Sequence, residues 1–153
     1  MNKVIIAIII AVIIAVIITI GFVIANSNQN EVKEEWNVSG PFKIDKKQYN
    51  LGEKIFMNVE GIKTGDVGSA VMLRPINDTH HEQYLEIKFN GTNKKEFNYY
   101  FEPKLNAFFG TCSVNDLIGS WKIELKGTKY PNINFKIVNK ISDWDSRTFE
   151  PVC

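Results

Sequence analysis

The first 25 residues constrain this chain most, because they hold a long run of apolar side chains. After Lys3, the run from Val4 to Ala25 contains no ionisable side chain. As an α-helix it would extend about 33 Å, which matches the hydrocarbon core of a bilayer. Its roughly sixteen Ile, Val and Phe residues give an insertion free energy of about −6 kcal/mol. The sequence therefore predicts a single-pass transmembrane anchor over residues 1–25.

The charges on either side of this run predict its orientation. Lys3 and the N-terminal amine precede it, whereas three glutamates follow within the polar linker 26–35. Positive charge stays on the cytoplasmic side, so we expect a cytoplasmic N-terminus and an extracytoplasmic C-terminal domain in the cell membrane. A signal peptide cleaved after Ala25 is the alternative, and it exports the same domain.

Small side chains recur within the apolar run at every fourth position. They are Ala7, Ala11, Ala15 and Thr19. On a helix this spacing places them on one face, and small residues let two helices approach closely in lipid. The face is a candidate for packing against another membrane helix, but an anchor in which Ala merely alternates with Ile is the favoured interpretation.

Net charge excludes one class of partner. The chain carries 18 Lys and Arg against 17 Asp and Glu, a net charge of +1. Recognition of nucleic acid depends on an excess of positive charge. We therefore expect no nucleic-acid partner. The predicted anchor makes other membrane or envelope proteins the expected partners.

The chain has two cysteines, Cys112 and Cys153. In an exported domain such a pair is most simply read as one disulfide, which would pin the tail 141–153. Closing a loop of about 40 residues stabilises by about 4 kcal/mol in the chain-entropy treatment. Two free thiols, or a terminal thiol that pairs with another chain, are the alternatives.

Residues 36–140 have the pattern of an all-β domain, with short apolar runs between Gly, Pro, Asn and Asp. Strict alternation over 84–89, 121–125 and 133–137 predicts strands with one face in the core and one in solvent. In the first of these, Tyr84 is expected on the solvent face. Four further runs, 42–44, 54–59, 69–74 and 96–101, bring the total to about seven strands.

Turn residues separate these runs. Leu51-Gly52 is assigned to a turn, and Asn90-Gly91 is the best hairpin signal because both residues tolerate positive φ. It lies between the predicted strands 84–89 and 96–101, which we therefore expect to pair.

Two short motifs carry a resemblance to a known family. Tyr49-Asn50-Leu51-Gly52-Glu53-Lys54-Ile55 and Leu117-Ile118-Gly119-Ser120-Trp121-Lys122-Ile123 are similar to segments of immunoglobulin-like and macroglobulin-like β-sandwiches on membrane-anchored prokaryotic, including archaeal, cell-surface proteins. The resemblance implies a seven-stranded antiparallel immunoglobulin-like sandwich after the N-terminal helix. The cysteines depart from the antibody type, in which the bridge joins the two sheets around a core Trp. Function stays open, because this fold hosts many activities.

His80, His81 and Glu82 form the chain's one histidine cluster, in a polar loop after Asp78. A catalytic metal usually needs three protein ligands, and adjacent side chains in a strand point to opposite faces. A solvated loop is therefore favoured over a metal site. The sequence also lacks a nucleophile elbow, a phosphate loop and a Cys-x-x-Cys motif, so no catalytic residue and no cofactor are predicted.

Two further groups of residues are candidates for contact or modification. The aromatic run Leu105–Gly110 is a candidate contact surface in a loop, and Trp144 and Phe149 are expected to fold back on the domain through the disulfide. The glycosylation acceptor pattern Asn-x-Ser/Thr occurs at Asn37, Asn77 and Asn90.

These patterns favour a membrane-anchored extracytoplasmic β-sandwich that is not an enzyme. It would act as an accessory or interaction subunit of a membrane or cell-envelope assembly. Two alternatives stay open. One is a metal-handling or enzymatic ectodomain that uses the His80-His81 loop, and the other is a surface module that binds carbohydrate or peptide.

Overall fold

The computed structural model describes residues 35–141 and 149–153. The predicted anchor 1–25, its packing face (Ala7, Ala11, Ala15 and Thr19) and all but the last residue of the linker 26–35 lie outside these ranges. Within them, no helix has the length and apolar character needed to cross a bilayer.

Nine β-strands in two sheets make up most of the described residues. Their bounds are β1 Asn37–Ser39, β2 Phe42–Ile44, β3 Gln48–Leu51, β4 Ile55–Glu60, β5 Val67–Pro75, β6 His81–Asn90, β7 Glu96–Phe101, β8 Gly119–Lys126 and β9 Ile133–Ile141. The four-stranded sheet has the order β1-β2-β4-β7, and the five-stranded sheet has the order β3-β9-β8-β5-β6. The predicted mostly-β class is confirmed, and all described residues belong to one compact unit, Glu34–Cys153.

One hydrophobic core takes side chains from both sheets. In β8 the alternating residues Trp121, Ile123 and Leu125 are buried, whereas Lys122 and Glu124 are not, as the period of two predicts. β9 alternates in the same way from Ile133 to Ile137. The two sheets therefore pack face to face as a β-sandwich.

Trp121 lies at the centre of this core and is fully buried. Its indole Nε1 donates a 2.8 Å hydrogen bond to the carbonyl of Leu117, which satisfies its polar atom. Its ring packs edge-on against Tyr84 and stacks with Phe135, with centroids 5.3 and 6.0 Å apart. These contacts join strands β6, β8 and β9.

The structure corrects the expected strand count and direction. β1 and β3 were not predicted. β1 has polar residues, Asn37 and Ser39, on either side of an exposed Val38, and the Leu51-Gly52 turn signal overlaps the end of β3. Leu51, assigned to a turn, is the last residue of β3. β3 runs parallel to β9, so the five-stranded sheet is not purely antiparallel. The reason is topological. β3 follows β2 and precedes β4 along the chain, but it belongs to the other sheet, so no hairpin sets its direction.

The predicted hairpin at Asn90-Gly91 is wrong. β6 pairs with β5 and β7 pairs with β4, so this segment crosses between the sheets. The carbonyl of Asn90 accepts hydrogen bonds from the backbone N–H of Asn93 and Lys94, at 3.1 and 2.9 Å. A Cβ on Gly91 would lie 2.0 Å from the carbonyl oxygen of Lys63. Glycine is therefore needed here for a close backbone approach and not for a tight hairpin turn.

The expected exposure of Tyr84 is also wrong, since only 9% of the residue is accessible. Consecutive residues of β5 pair with Gln83 and Leu85, so Tyr84 is the extra residue of a β-bulge. The bulge turns its ring into the core, where its hydroxyl accepts a 3.0 Å hydrogen bond from the backbone N–H of Lys104. Alternation then resumes with Leu85 facing inward.

Candidate functional site

The connection between β7 and β8 carries Phe108, the most exposed of the large apolar side chains in the described ranges, at 89% accessibility. Phe108 lies in a short 3₁₀ turn, Ala107–Phe109. We call Leu105–Gly110 the Phe108 loop. It is the aromatic run predicted from the sequence as a candidate contact surface. The structure thus places this candidate contact residue in solvent.

Hydrogen bonds fix the conformation of the Phe108 loop. The side chain of Asn106 accepts a 2.8 Å hydrogen bond from the backbone N–H of Phe108. The backbones of Asn106 and Thr111 exchange two hydrogen bonds, at 2.8 and 3.1 Å. Thr111 is fully buried, and its hydroxyl donates a 2.8 Å bond to the carbonyl of Lys104. The base of the loop is therefore closed and its polar groups are paired.

Phe109 joins the loop to the sandwich. It is less exposed than Phe108, at 38%, and its ring lies 5.2 Å from that of Tyr84. The ring of Phe108 meets that of Phe109 edge-on at 5.4 Å. Phe109 thus anchors the turn to the sandwich, and Phe108 points outward from it.

A buried cation, Arg74 of β5, lies beneath the loop and is only 6% exposed. Its guanidinium donates to the carboxylate of Glu82 on β6. A Cβ on Gly110, whose φ is +65°, would lie 2.9 Å from Nη2 of Arg74. Its Nε has no hydrogen-bond partner among the described residues. No local pattern indicates this arrangement, because in the sequence Arg74 resembles any polar residue of a strand.

Asp116 stabilises a second 3₁₀ turn, Val114–Asp116, which follows the Phe108 loop. Its carboxylate accepts hydrogen bonds from the backbone N–H and the hydroxyl of Ser113, at 2.7 and 3.1 Å. These bonds, the backbone bond first, hold the pKa of Asp116 below its usual value, and the charge of Arg74 adds to the effect. The carboxylate therefore stays ionised where it stabilises the turn.

A disulfide ties the C-terminus to the same region. Cys112 follows the Phe108 loop and is bonded to Cys153. The backbone N–H of Val152 donates a 2.9 Å hydrogen bond to the carbonyl of Cys112, and Phe149 packs against the core. The part of the tail that includes Trp144 lies outside the described residues.

The three residues of the histidine cluster do not converge. Nδ1 of His80 lies 2.8 Å from the hydroxyl of Thr79. His81 Nε2 donates a 2.9 Å bond to the carbonyl of Ser120, and Glu82 pairs with Arg74. Within 35–141 and 149–153, no three His, Cys, Asp or Glu residues are grouped so that they could hold a metal ion. This geometry lends no support to the metal alternative.

The three acceptor asparagines differ in accessibility. Asn37 lies in β1, and the hydroxyl residue of its motif, Ser39, is buried and bonded to a backbone carbonyl. Asn90 is half-buried at the end of β6, whereas Asn77 lies in an exposed turn. Of the three, Asn77 offers the most accessible amide for a glycan.

Three aromatic residues form a second feature, on the solvent face of the four-stranded sheet. In this aromatic cluster Phe56 stacks with Tyr100 at 4.6 Å and meets Trp36 edge-on at 5.9 Å. Nζ of Lys43 lies 5.1 Å from the centroid of the Trp36 ring. Tyr100 is 63% exposed and Trp36 is 37% exposed. Alternation in β4 was the signal that could have revealed Phe56, because its neighbours Ile55 and Met57 face the core.

An open groove of about 750 Å³ runs between β6 and β7. Both strands are at the edge of their sheets. The apolar side chains in the groove are Val67, Ile87, Phe89, Phe97 and Tyr99, and Glu86 and Lys88 line it as well. We call it the edge groove. Sequence reasoning missed it, because which strands end up at an edge depends on the topology of the whole sandwich.

Comparisons with protein-family models, with curated proteins and with solved structures found no match to this chain. Similarity therefore assigns no activity to any of these features. Their functional meaning rests on the exposure, packing and charge of the described residues.

Proposed function

We propose that this protein is a non-enzymatic, membrane-anchored interaction subunit. Its β-sandwich lies outside the cytoplasmic membrane and binds another membrane or envelope protein through the Phe108 loop. The observation that carries the proposal is the 89% exposure of Phe108 on a turn whose base is closed by hydrogen bonds. The uncharged run Val4–Ala25 supports the anchor, and a linker of about ten residues spans about 15–20 Å, which keeps the domain near the bilayer.

The physical case rests on preorganisation. A Phe side chain gains about 1.5–3 kcal/mol when it moves from water into an apolar pocket. Binding normally loses part of such a gain to ordering of the loop. The Asn106 cap, buried Thr111 and the disulfide at Cys112 already fix this loop, so little further order is needed. The partner we expect therefore has an apolar pocket that accepts one aromatic ring.

We also propose that the sandwich is immunoglobulin-like. Two facing sheets with a central Trp121 support this assignment. The disulfide differs from the antibody type, because it joins the connection after β7 to the C-terminus and not one sheet to the other.

The test compares native membrane extracts of the wild-type protein with those of Phe108→Ala. After gentle solubilisation, the wild type should migrate with a stoichiometric partner protein, and Phe108→Ala should lose that partner. Truncation of an exposed side chain changes stability little, so both proteins should have the same melting temperature. Tyr100→Ala, an exposed aromatic on the four-stranded sheet, is the matched control and should retain the partner.

Two results would contradict the proposal. A wild-type protein that migrates alone leaves no assembly to explain. A partner retained by Phe108→Ala shows that the Phe108 loop is not the contact.

The aromatic cluster supports a second candidate function, a surface module that binds carbohydrate or an aromatic-rich peptide. Tyr100 exposes more than half of its surface beside Phe56, and sugar rings and aromatic side chains both stack on such rings. Titration of the full chain with a panel of cell-surface glycans tests it. Binding should be lost in Tyr100→Ala and kept in Phe108→Ala, the reverse of the result expected for the protein partner.

A further inference from the structure

β6 presents an unpaired strand edge beside an apolar groove. It pairs with β5 on one side, and within the described ranges no strand lies along its other side. Backbone N–H and C=O groups at a free edge can pair with a further strand. The edge groove alongside it is lined by the partly buried side chains of Ile87 on β6 and of Phe97 and Tyr99 on β7. Both features favour the addition of one more strand.

The bulge limits where that strand can pair. Tyr84 has no partner in β5, so regular alternation along β6 extends only from Leu85 to Asn90. In this stretch Leu85, Ile87 and Phe89 face the core, whereas Glu86 and Lys88 are exposed on the other face. A partner strand must present apolar residues on the inner face. On the outer face it must place a positive charge opposite Glu86 and a negative charge opposite Lys88.

A second copy of β6 meets both requirements in one antiparallel register. With Ile87 opposite Ile87 of the second copy, Glu86 of each copy lies opposite Lys88 of the other. On the inner face Leu85 then lies opposite Phe89. Moving the centre to Glu86 or to Lys88 would place like charges opposite each other, which is unfavourable. The charge pattern of this edge is therefore complementary to itself about Ile87.

We propose that two copies of this protein pair through β6 in this register, about a two-fold axis at Ile87. The two five-stranded sheets then form one continuous ten-stranded sheet, and the apolar face of each β6 covers the edge groove of the other copy. Such an isologous contact closes on itself, so the assembly is a dimer and not a filament. The pairing uses residues 85–89 of β6, whereas the Phe108 loop packs beside Tyr84 and Glu82 at the start of that strand. The proposal does not depend on the function proposed for that loop.

Burial of the edge groove and backbone pairing drive the association. Two exposed ion pairs add little affinity, but they select the register, because like charges at the same positions oppose it. Charge reversal at Glu86 or Lys88 is therefore the substitution that separates this dimer from other forms of association. Pairing of the membrane anchors, for example, would not respond to it.

The test measures the mass of the full chain in detergent by native mass spectrometry over a range of concentrations. The wild type should be a dimer. Glu86→Lys places two lysines opposite each other at both ends of the register, and Lys88→Glu does the same with glutamates. Each single variant should weaken self-association about tenfold or more. The double variant exchanges the charges and should restore the dimer.

Mixing the two single variants gives the sharpest result. A chain with Lys at 86 and 88 is complementary to a chain with Glu at both positions. An equimolar mixture should therefore form the heterodimer at concentrations at which each variant alone is monomeric. Lys136→Glu, on the exposed face of β9 in the same sheet, is the matched control and should remain dimeric. Melting temperatures within about 2 °C of the wild type would show that all variants are folded.

Three outcomes would overturn the proposal. A monomeric wild type removes the dimer. Single variants that dimerise as well as the wild type show that the contact lies elsewhere. Single variants that are monomeric but are not rescued by mixing or by the double exchange show that the strands do not pair about Ile87.

Discussion

At the scale of single residues, Gly110 shows how the conformation of the Phe108 loop depends on one backbone position. Its φ of +65° is a left-handed value that costs other residues about 1–2 kcal/mol. A Cβ there would also press on Nη2 of the buried Arg74. We expect Gly110→Ala to lower the free energy of unfolding by about 2 kcal/mol, measured by urea denaturation, and to weaken partner binding through Phe108.

Two other glycines separate strain from contact in this experiment. Gly61 has a φ of +77° but nothing within 4 Å of its Cβ position, whereas Gly65 has neither feature. Gly61→Ala should lower the free energy of unfolding only by the cost of the left-handed backbone conformation. Gly65→Ala should leave that free energy nearly unchanged. Equal losses in Gly110→Ala and Gly61→Ala would show that Arg74 yields freely and does not support the loop.

Asp116 links the stability of the same region to pH. Hydrogen bonds from Ser113 lower the pKa of its carboxyl in the folded protein below the unfolded value of about 3.8. The stabilisation is therefore complete above that value and is lost as pH falls through the lower, folded pKa. We expect Asp116→Asn to unfold about 1 kcal/mol more easily at pH 7, with a smaller difference from the wild type at pH 3, measured by urea denaturation at both values.

Ser113→Ala is the matched control for this pH effect. It removes the 3.1 Å hydroxyl bond and keeps the 2.7 Å backbone bond, so it should destabilise less than Asp116→Asn. A constant difference between wild type and Asp116→Asn from pH 7 to pH 3 would contradict the assigned role of the carboxylate.

At the scale of elements, the sequence predicted strands where local pattern and packing agree. In β8 and over 133–137 of β9 each inward side chain meets the core, so polar and apolar residues alternate there without interruption. In β6 the extra residue Tyr84 shifts the alternation, and no single-sequence pattern marks a bulge. The predicted pairing of β6 with β7 was wrong for a different reason, because these consecutive strands belong to different sheets. Topology therefore decided what local signals could not.

The candidate sites divide in the same way. Phe108 and the Cys112–Cys153 pair were found in the sequence, because an aromatic run in a loop and a lone cysteine pair are visible without a structure. Arg74 beneath Gly110 and the edge groove were not found, since both depend on contacts between residues distant in the chain. Long-range placement is what the sequence of one protein leaves unspecified.

The disulfide is the element-scale constraint with the largest expected effect. It spans a sequence separation of 41 residues, from the end of the Phe108 loop to the C-terminus. We expect Cys112→Ser with Cys153→Ser to lower the free energy of unfolding by up to about 4 kcal/mol in the chain-entropy treatment. Limited proteolysis should also cut the tail faster because, among the tail residues that the structure describes, the Val152 hydrogen bond and the packing of Phe149 are the contacts that remain. An unchanged unfolding midpoint would show that packing alone fixes the tail.

At the scale of the whole molecule, the described sandwich has what an independent folding unit needs. Residues Glu34–Cys153 form one compact unit, with a continuous core around Trp121 and a disulfide at its end. At about 120 residues, a chain buries enough surface to fold alone.

We therefore expect a fragment of residues 34–153, produced under oxidising conditions, to fold without a membrane. It should show a β-type far-UV circular dichroism spectrum and one cooperative thermal transition, because both sheets share a single core. Its melting temperature should match that of the full chain in detergent, measured by the near-UV signal of its buried Trp121. A fragment that aggregates, or one that melts well below the full chain, would contradict the expectation. Such a result would show that residues 1–33 stabilise the domain.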